Sequence, residues 1–104
     1  MDKISINTFP FKDQILQILA KHLKGRRYGV YLFGSRARGN ATPYSDYDIG
    51  IMANEPLPLS TMAVIEEDFE ELPVMQKIDL VDLKAASVKF FQNALKESLL
   101  LDER

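Results

Sequence analysis

The chain has 104 residues, of which 46% are hydrophobic, 27% are charged and 10% are aromatic, and its net charge at pH 7 is −2. This composition excludes disordered and collagen-like chains, and the length predicts one compact domain over residues 1–104. Folding at this size hides roughly two thirds of the surface of the unfolded chain, which is enough for one sheet with helical cover. The acidic net charge also disfavours nucleic acid as a direct ligand.

The residue types that are scarce limit the chemistry further. The chain has no cysteine and one histidine, His22, which we expect on the solvent side of the first helix. Disulfides, thiolate sites and multi-histidine metal sites are therefore excluded, and a metal ion would be held by carboxylates, which favours Mg²⁺ or Mn²⁺. No apolar run approaches the ~20 residues that cross a bilayer, and residues 1–10 lack a signal-peptide core, so we predict a cytoplasmic protein without membrane contact.

Charge is unevenly distributed along the sequence. Residues 1–40 contain eight Lys or Arg and two acids, whereas residues 41–104 contain five bases and thirteen acids. Such a split is typical of proteins that meet an anionic ligand or a charged partner. The alternative is that most of these residues only form a solvated surface.

Three elements are predicted in the first half of the chain. Apolar residues at helical spacing predict a helix over residues 10–24, and a β-branched and aromatic run predicts a buried strand over 28–33 that ends at Gly34. Alternation over 46–52 predicts a second strand with one acidic face. Because only about a dozen residues separate the two strands, we expect them to be antiparallel and joined by a single helical turn.

The second half of the chain adds two helices and two strands. We predict a helix capped by Ser60 that runs to Leu72, a strand over 77–82, a helix over 86–97 and a short strand over 99–101. The predicted fold is α+β (mixed α/β), with a three- to four-stranded mixed sheet and helices packed on one of its faces.

Three acids lie within or beside predicted strands. Asp46 and Asp48 are two strand positions apart, about 7 Å, and Asp79 belongs to a later strand. Carboxylates on a core sheet lower stability unless something compensates their charge, and this spacing suits the two ions of a two-metal site. The alternative is that Asp46 and Asp48 face solvent at an edge, while Asp79 pairs with Lys77 or caps a turn.

A glycine–serine turn precedes these acids. Gly34 would let the backbone approach a ligand, and the first amides of a helical turn attract phosphate, to which Ser35 can add a hydroxyl group. Gly39 is expected to end the turn, while Arg36 and Arg38 either contact phosphate or face water. A lone glycine–serine pair is weak support for any function.

The combination resembles a known signature. Gly34 and Ser35, ten intervening residues, the Asp46–Tyr47–Asp48 segment and the later Asp79 resemble the nucleotidyltransferase signature of the DNA polymerase β superfamily. The segments GSRARGNATPYSDYDIGI (34–51) and KIDLVDL (77–83) are similar to the minimal nucleotidyltransferases, small prokaryotic proteins often encoded beside a HEPN-domain toxin. The resemblance covers nearly the whole chain.

The resemblance implies roles for individual residues. Asp46 and Asp48 would bridge two Mg²⁺ ions, with Mn²⁺ as a substitute, and Asp79 would hold the catalytic ion. Gly34 and Ser35 would bind the β- and γ-phosphates of a nucleoside triphosphate such as ATP. Asp82 is expected to face away from Asp79 and to serve as a cap or surface residue, because three strand positions separate them. Ser45 is expected to bond nearby backbone.

The implied function is a magnesium-dependent transfer of AMP from ATP to a hydroxyl group, which we expect to be a tyrosine, on a HEPN-type toxin. Because the chain has almost nothing outside the catalytic sheet, we expect another molecule to present the acceptor. The resemblance implies that this molecule is the HEPN-type toxin, which would make the chain a type VII-like antitoxin. One alternative is an antitoxin that only docks on its partner, and another is a modifier of small molecules similar to aminoglycoside nucleotidyltransferases. Neither the base preference nor the choice between homo- and hetero-oligomers follows from the sequence.

Overall fold

The computed structural model describes residues 9, 11–39, 41, 42, 44–96 and 98–104. Four helices and four strands alternate along them. In chain order they are α1 (Lys12–His22), β1 (Tyr28–Phe33), α2 (Ser35–Arg38), β2 (Tyr47–Ala53), α3 (Leu59–Glu70), β3 (Ile78–Asp82), α4 (Val88–Lys96) and β4 (Leu99–Glu103). Within the described part of the chain, none of the helices combines the length and the apolarity needed to cross a bilayer.

The strands form one mixed sheet in the order β3-β2-β1-β4. β1 pairs antiparallel with both β2 and β4, whereas β2 and β3 are parallel. The short α2 connection brings the chain straight back from β1 into β2, while the longer α3 connection allows β3 to run in the same direction as β2. The predicted α+β class and the antiparallel β1–β2 pair are confirmed.

The main core lies between one face of the sheet and the helices α1 and α3. Ile15 and Leu19 of α1 and Ile65 and Phe69 of α3 pack with inward-facing strand residues, which include Val30, Leu32, Ile49, Ile51 and Leu80. The two helices are also joined by a hydrogen bond between His22 Nε2 and Asp68 Oδ2, 2.6 Å long. His22 is therefore half-buried between helices, and its expected position on the solvent side of α1 is wrong.

α4 contacts the opposite face of the sheet. The Phe33 side chain alternates with the inward-facing Leu32, and its ring meets the Phe90 ring of α4 edge-on, with centroids 5.9 Å apart. Leu83, only 1% exposed, packs over Gly50 on this same face. The prediction that helices cover one face holds for α1 and α3 but not for α4, because Phe90 of α4 packs on Phe33.

Several predicted boundaries differ from the observed ones. α3 begins at Leu59 after Pro58 and has no side-chain cap, so the predicted Ser60 cap is wrong. β4 extends to Glu103 because Tyr28 and Arg104 exchange two backbone hydrogen bonds of 2.8 and 3.2 Å, which prolongs its pairing with β1. The predicted first residue of α1, position 10, and the predicted last residue of α4, position 97, lie outside the described residues.

Candidate active site

The parallel pairing of β2 and β3 brings two of the acids together. Asp48 and Asp79 are direct partners in the register of these strands, so their side chains leave the same face of the sheet next to each other. Asp46 lies one residue before β2, two positions from Asp48. All three belong to the end of the sheet where β1 leads into α2. Their catalytic and metal-binding roles stay predictions.

The three acids form a region of excess negative charge. Partial burial raises the pKa of Asp48, and the neighbouring charges of Asp79 and Asp46 raise it further, while Arg38 opposes the rise. Lys77 Nζ also lies 3.3 Å from Asp79 Oδ1, which is the ion pair that the alternative interpretation foresaw. Because the lysine side chain is 75% exposed, this pair contributes little energy and leaves Asp79 accessible to another cation.

Gly34 fits this position for two separate reasons. Its φ of 79° lies in the region that favours glycine, and this conformation turns the chain from β1 directly into α2. A Cβ atom at Gly34 would also overlap Asp48 Oδ2. The missing side chain therefore allows the turn to lie directly against the carboxylate of Asp48. Gly39 ends α2 in the left-handed conformation and donates its N–H to the Ser35 carbonyl at 3.1 Å, as predicted.

The side chain of Arg36 is held against the core. Its Nη2 donates a hydrogen bond to the Ser45 carbonyl at 2.8 Å, and its guanidinium carbon lies 4.0 Å from the centroid of the Tyr47 ring. Tyr47 is buried on the core face and also stacks against Phe9. The Arg36 side chain therefore fastens the α2–β2 loop to the core, and its contact with phosphate stays a prediction.

Arg38 lies on the side of the acids. Its charge lowers the pKa of Asp48, and it lines an open groove together with Gly34. Two residues of one short helix thus point to different surroundings. Of the two arginines predicted to bind nucleotide, only Arg38 is placed where an anion bound beside the acids would meet it.

Asp82 and Ser45 have the structural roles that were expected of them. Asp82 Oδ2 accepts the N–H of Leu57 at 2.7 Å, and Oδ1 accepts those of Lys84 and Ala85 at 3.1 and 3.3 Å. Ser45 Oγ accepts the N–H of Thr42 at 2.9 Å. Both side chains hold backbone next to the acids, so neither competes with Asp79 for a catalytic role.

Two grooves flank the acids. One, about 350 Å³, lies between the α2 turn and α4 and is lined by Phe33, Gly34, Arg38, Phe90, Asn93 and Ala94. The other, about 510 Å³, lies between α3 and β3, and Glu66, Glu70, Lys77 and Asp79 are among its residues. Sequence reasoning did not anticipate that Phe90 and Asn93 line a groove beside the turn, because no local motif shows that α4 returns to it.

The acids suit a divalent cation by their chemistry. Carboxylate oxygens are the ligands that Mg²⁺ prefers, and the mutual repulsion that raises the pKa of Asp48 is one that a cation would relieve. Within the described residues, however, no three His, Asp or Glu side chains are grouped closely enough to hold a metal ion.

Comparison with known proteins identifies the family. The sequence model described as "Polymerase beta, Nucleotidyltransferase" matches residues 13–104. The chain belongs to this nucleotidyltransferase family. Members of the family generally use a divalent metal, in keeping with the carboxylate chemistry of the site.

Two curated relatives resemble this nucleotidyltransferase over most of its length. The "Probable protein adenylyltransferase MntA" of Haemophilus influenzae is 34% identical over 77 residues, which are 74% of this chain and 68% of the relative. The spectinomycin 9-adenylyltransferase of Enterococcus faecalis is 32% identical over 78 residues, 75% of this chain but only 30% of that enzyme. The nucleotidyltransferase thus spans less than a third of the second relative.

Solved structures support the fold. A toxin–antitoxin crystal structure with AMP-PNP superposes on this nucleotidyltransferase with a TM-score of 0.75 and 25% identity, covering 89% of this chain and 73% of that one. A structure described as a tri-AMPylated Shewanella oneidensis HEPN toxin in complex with MNT antitoxin gives a TM-score of 0.70 at 23% identity, with 92% and 72% covered. The resemblance to the minimal nucleotidyltransferases is confirmed.

Proposed function

We propose that this chain transfers AMP from ATP to a hydroxyl group of a protein partner. The observation that carries the proposal is the juxtaposition of Asp48 and Asp79, as strand neighbours, with the Gly34 turn. In this proposal Asp46, Asp48 and Asp79 hold two Mg²⁺ ions. Gly34, Ser35 and Arg38 bind the triphosphate.

The reaction requires compensation of negative charge and orientation of the reactants. The acceptor oxygen forms a bond to the α-phosphorus of ATP, the bond from that phosphorus to the bridging oxygen breaks, and pyrophosphate leaves. Arg38 would attract the triphosphate, and Asp79 would accept the proton of the attacking hydroxyl. A bound divalent ion would supply positive charge to the entering and leaving oxygens.

We propose a tyrosine of a HEPN-type toxin as the acceptor, which makes this chain the antitoxin of the pair. The relative of which this chain covers 68% is described as a "Probable protein adenylyltransferase". A structure of the same fold is a complex of a tri-AMPylated HEPN toxin with its antitoxin. The small share of the spectinomycin enzyme that is covered favours a protein acceptor over a free antibiotic.

The test is incubation of the chain with labelled ATP, Mg²⁺ and the toxin encoded beside it. We expect label to appear on the toxin, and Asp48→Asn and Asp79→Asn to abolish the transfer. Asp82→Asn is the matched control, because Asp82 belongs to the same strand as Asp79 but bonds backbone amides. It should retain activity per folded molecule.

Two outcomes would contradict the proposal. If Asp48→Asn neutralises the toxin as well as the unaltered chain does, and no label is transferred, the protein acts by docking. If label is transferred to a free aminocyclitol antibiotic without the toxin, the acceptor is a small molecule. Removal of Mg²⁺ with EDTA should stop transfer, and readdition of Mg²⁺ or Mn²⁺ should restore it.

A further inference from the structure

The open groove between the α2 turn and α4 leads from the carboxylates to an apolar surface. Gly34 and Arg38 line it at the end where the triphosphate is proposed to lie, and Arg38 is close enough to Asp48 to lower its pKa. Its volume of about 350 Å³ falls within the range of roughly 300–1,000 Å³ that is usual for small-molecule sites. A ligand whose phosphates lie beside Arg38 can therefore extend along α4.

The walls of this groove suit a flat aromatic group. Phe33 and Phe90 meet edge-on at an interplanar angle of 77°, so the two ring faces point in different directions. Phe90 remains 40% exposed, whereas Ala94 is only 9% exposed. An exposed aromatic ring beside a small buried side chain offers a planar base both a stacking surface and room to approach.

Asn93 adds a polar group to the same surface. Its side-chain amide has a donor and an acceptor side by side, which complement the amino group and the ring nitrogen on one edge of adenine. Guanine presents two acceptors on the corresponding edge, so the carbonyl oxygen of the amide would face another oxygen or nitrogen acceptor. An Asn93 amide placed against this edge would therefore favour adenine over guanine.

The second groove is a poor alternative for a nucleotide. It is lined by Glu66, Glu70 and Asp79, with Lys77 already paired to Asp79. The charges of these carboxylates repel a triphosphate. A nucleotide that entered through this groove would have to pass beside them. The nucleotide therefore approaches the acids from the side of α4.

We propose that the groove between the α2 turn and α4 is the nucleoside subsite, in which Phe90 stacks on the base and Asn93 selects adenine. This inference rests on the proposed function, because it assigns the nucleoside of the same ATP molecule. It goes further by assigning base preference to a helix that has none of the signature residues.

The experiment measures equilibrium binding of ATP, GTP and inorganic tripolyphosphate to the full chain by calorimetry in the presence of Mg²⁺. We expect Phe90→Ala to weaken ATP binding by about tenfold, as loss of a base-stacking contact predicts. Tripolyphosphate has no base, so its affinity should not change. Phe90→Leu, which keeps an apolar side chain against Phe33, should weaken ATP binding in the same direction and guards against loss of folding.

Asn93→Ala should reduce the preference for ATP over GTP by about tenfold while tripolyphosphate binding is unchanged. The matched control is Gln92→Ala, since Gln92 is also an exposed amide of α4 but is not among the residues that line the groove. This variant should bind all three ligands as the unaltered chain does.

Two results would overturn the inference, and they are distinguishable. If the unaltered chain binds ATP, but Phe90→Ala leaves the affinity for ATP unchanged and Asn93→Ala leaves the preference for ATP over GTP unchanged, the nucleoside lies elsewhere and the proposed function survives. If the unaltered chain binds neither ATP nor tripolyphosphate, the proposed function fails together with the subsite.

Discussion

The two faces of the sheet differ in what they do for the protein, although the same strands form both. On one side of β2, Ile49 and Ile51 are completely buried under α1 and α3. On the other, Asp48 repels its neighbours and Gly50 has no side chain to bury. Because side chains alternate along a strand, the core residues of β2 and its acidic residue lie on opposite faces.

A similar contrast exists within α2. Arg36 packs on the buried Tyr47 ring, whereas Arg38 lies beside Asp48. Only one residue separates them in the sequence. Substitutions that look equivalent in the sequence should therefore have different effects, some on stability and others on activity.

The largest expected effect is on the core face. Ile49→Ala should lower the free energy of unfolding by about 2–5 kcal/mol, because it leaves a cavity at a fully buried position. Urea-induced unfolding measures this loss. Met52→Ala, on the same strand but on the opposite and partly exposed face, is the control and should cost clearly less. Equal losses from the two substitutions would mean that the two faces do not divide the roles as described.

Gly34→Ala should cost about 1–3 kcal/mol from its backbone conformation alone, and the new Cβ should also displace the Asp48 carboxylate and abolish AMP transfer. Gly25→Ala separates the two causes. Gly25 has nearly the same φ, 81°, but nothing lies within 4 Å of its Cβ position. The Gly25→Ala variant should therefore lose some stability and keep its activity. Loss of activity in both variants would contradict the explanation that the new Cβ at position 34 overlaps Asp48.

Arg36→Ala should lower the free energy of unfolding by about 1 kcal/mol, through loss of the contact with the Tyr47 ring and of the hydrogen bond to Ser45. Arg38→Ala should instead raise the KM for ATP with little change in stability. Thermal unfolding and initial rates distinguish the two. The reverse result, with Arg36→Ala affecting only ATP binding, would contradict this assignment and support the prediction that Arg36 contacts phosphate.

The smallest effect is a gain in stability. Asp48→Asn removes like-charge repulsion at a partly exposed site and should stabilise the Mg²⁺-free protein by about 0.5 kcal/mol, or roughly 2–4 °C in Tm. Folding raises the pKa of Asp48 above its ordinary value of 3.8. The ionised carboxylate therefore lowers the stability of the unaltered chain increasingly as pH rises from 3.8, and this loss of stability is complete above the raised pKa. The gain should therefore vanish in acid. A gain that persists well below pH 3.8 would show that charge is not its cause.

Added Mg²⁺ provides a further comparison for the same variant. The unaltered chain should gain thermal stability from Mg²⁺, since the ion binds the folded state, and Asp48→Asn should gain less. An equal gain in both would argue against Asp48 as a ligand.

The sequence by itself determined the strands, the acidic face and the glycine turn. The run that predicts β1 matches its observed bounds, 28–33, and alternation placed Asp48 on the face opposite Ile49. These features depend on residues that are close together in the chain. The alternation of side chains along a strand and the conformational freedom of glycine are both local properties. Alternation also placed Asp79 in a predicted strand, and the resemblance to the signature added its expected role beside Asp46 and Asp48.

Only the tertiary structure decided which distant residues meet. It set the register that pairs Asp48 with Asp79, directed Arg36 to Tyr47, and brought Phe90 against Phe33. Each of these contacts joins separate helices, strands or loops. It therefore depends on how all the strands pair in the sheet and on which apolar surfaces the helices then cover. No window of neighbouring residues contains that information, because the contacts form only when the core has assembled.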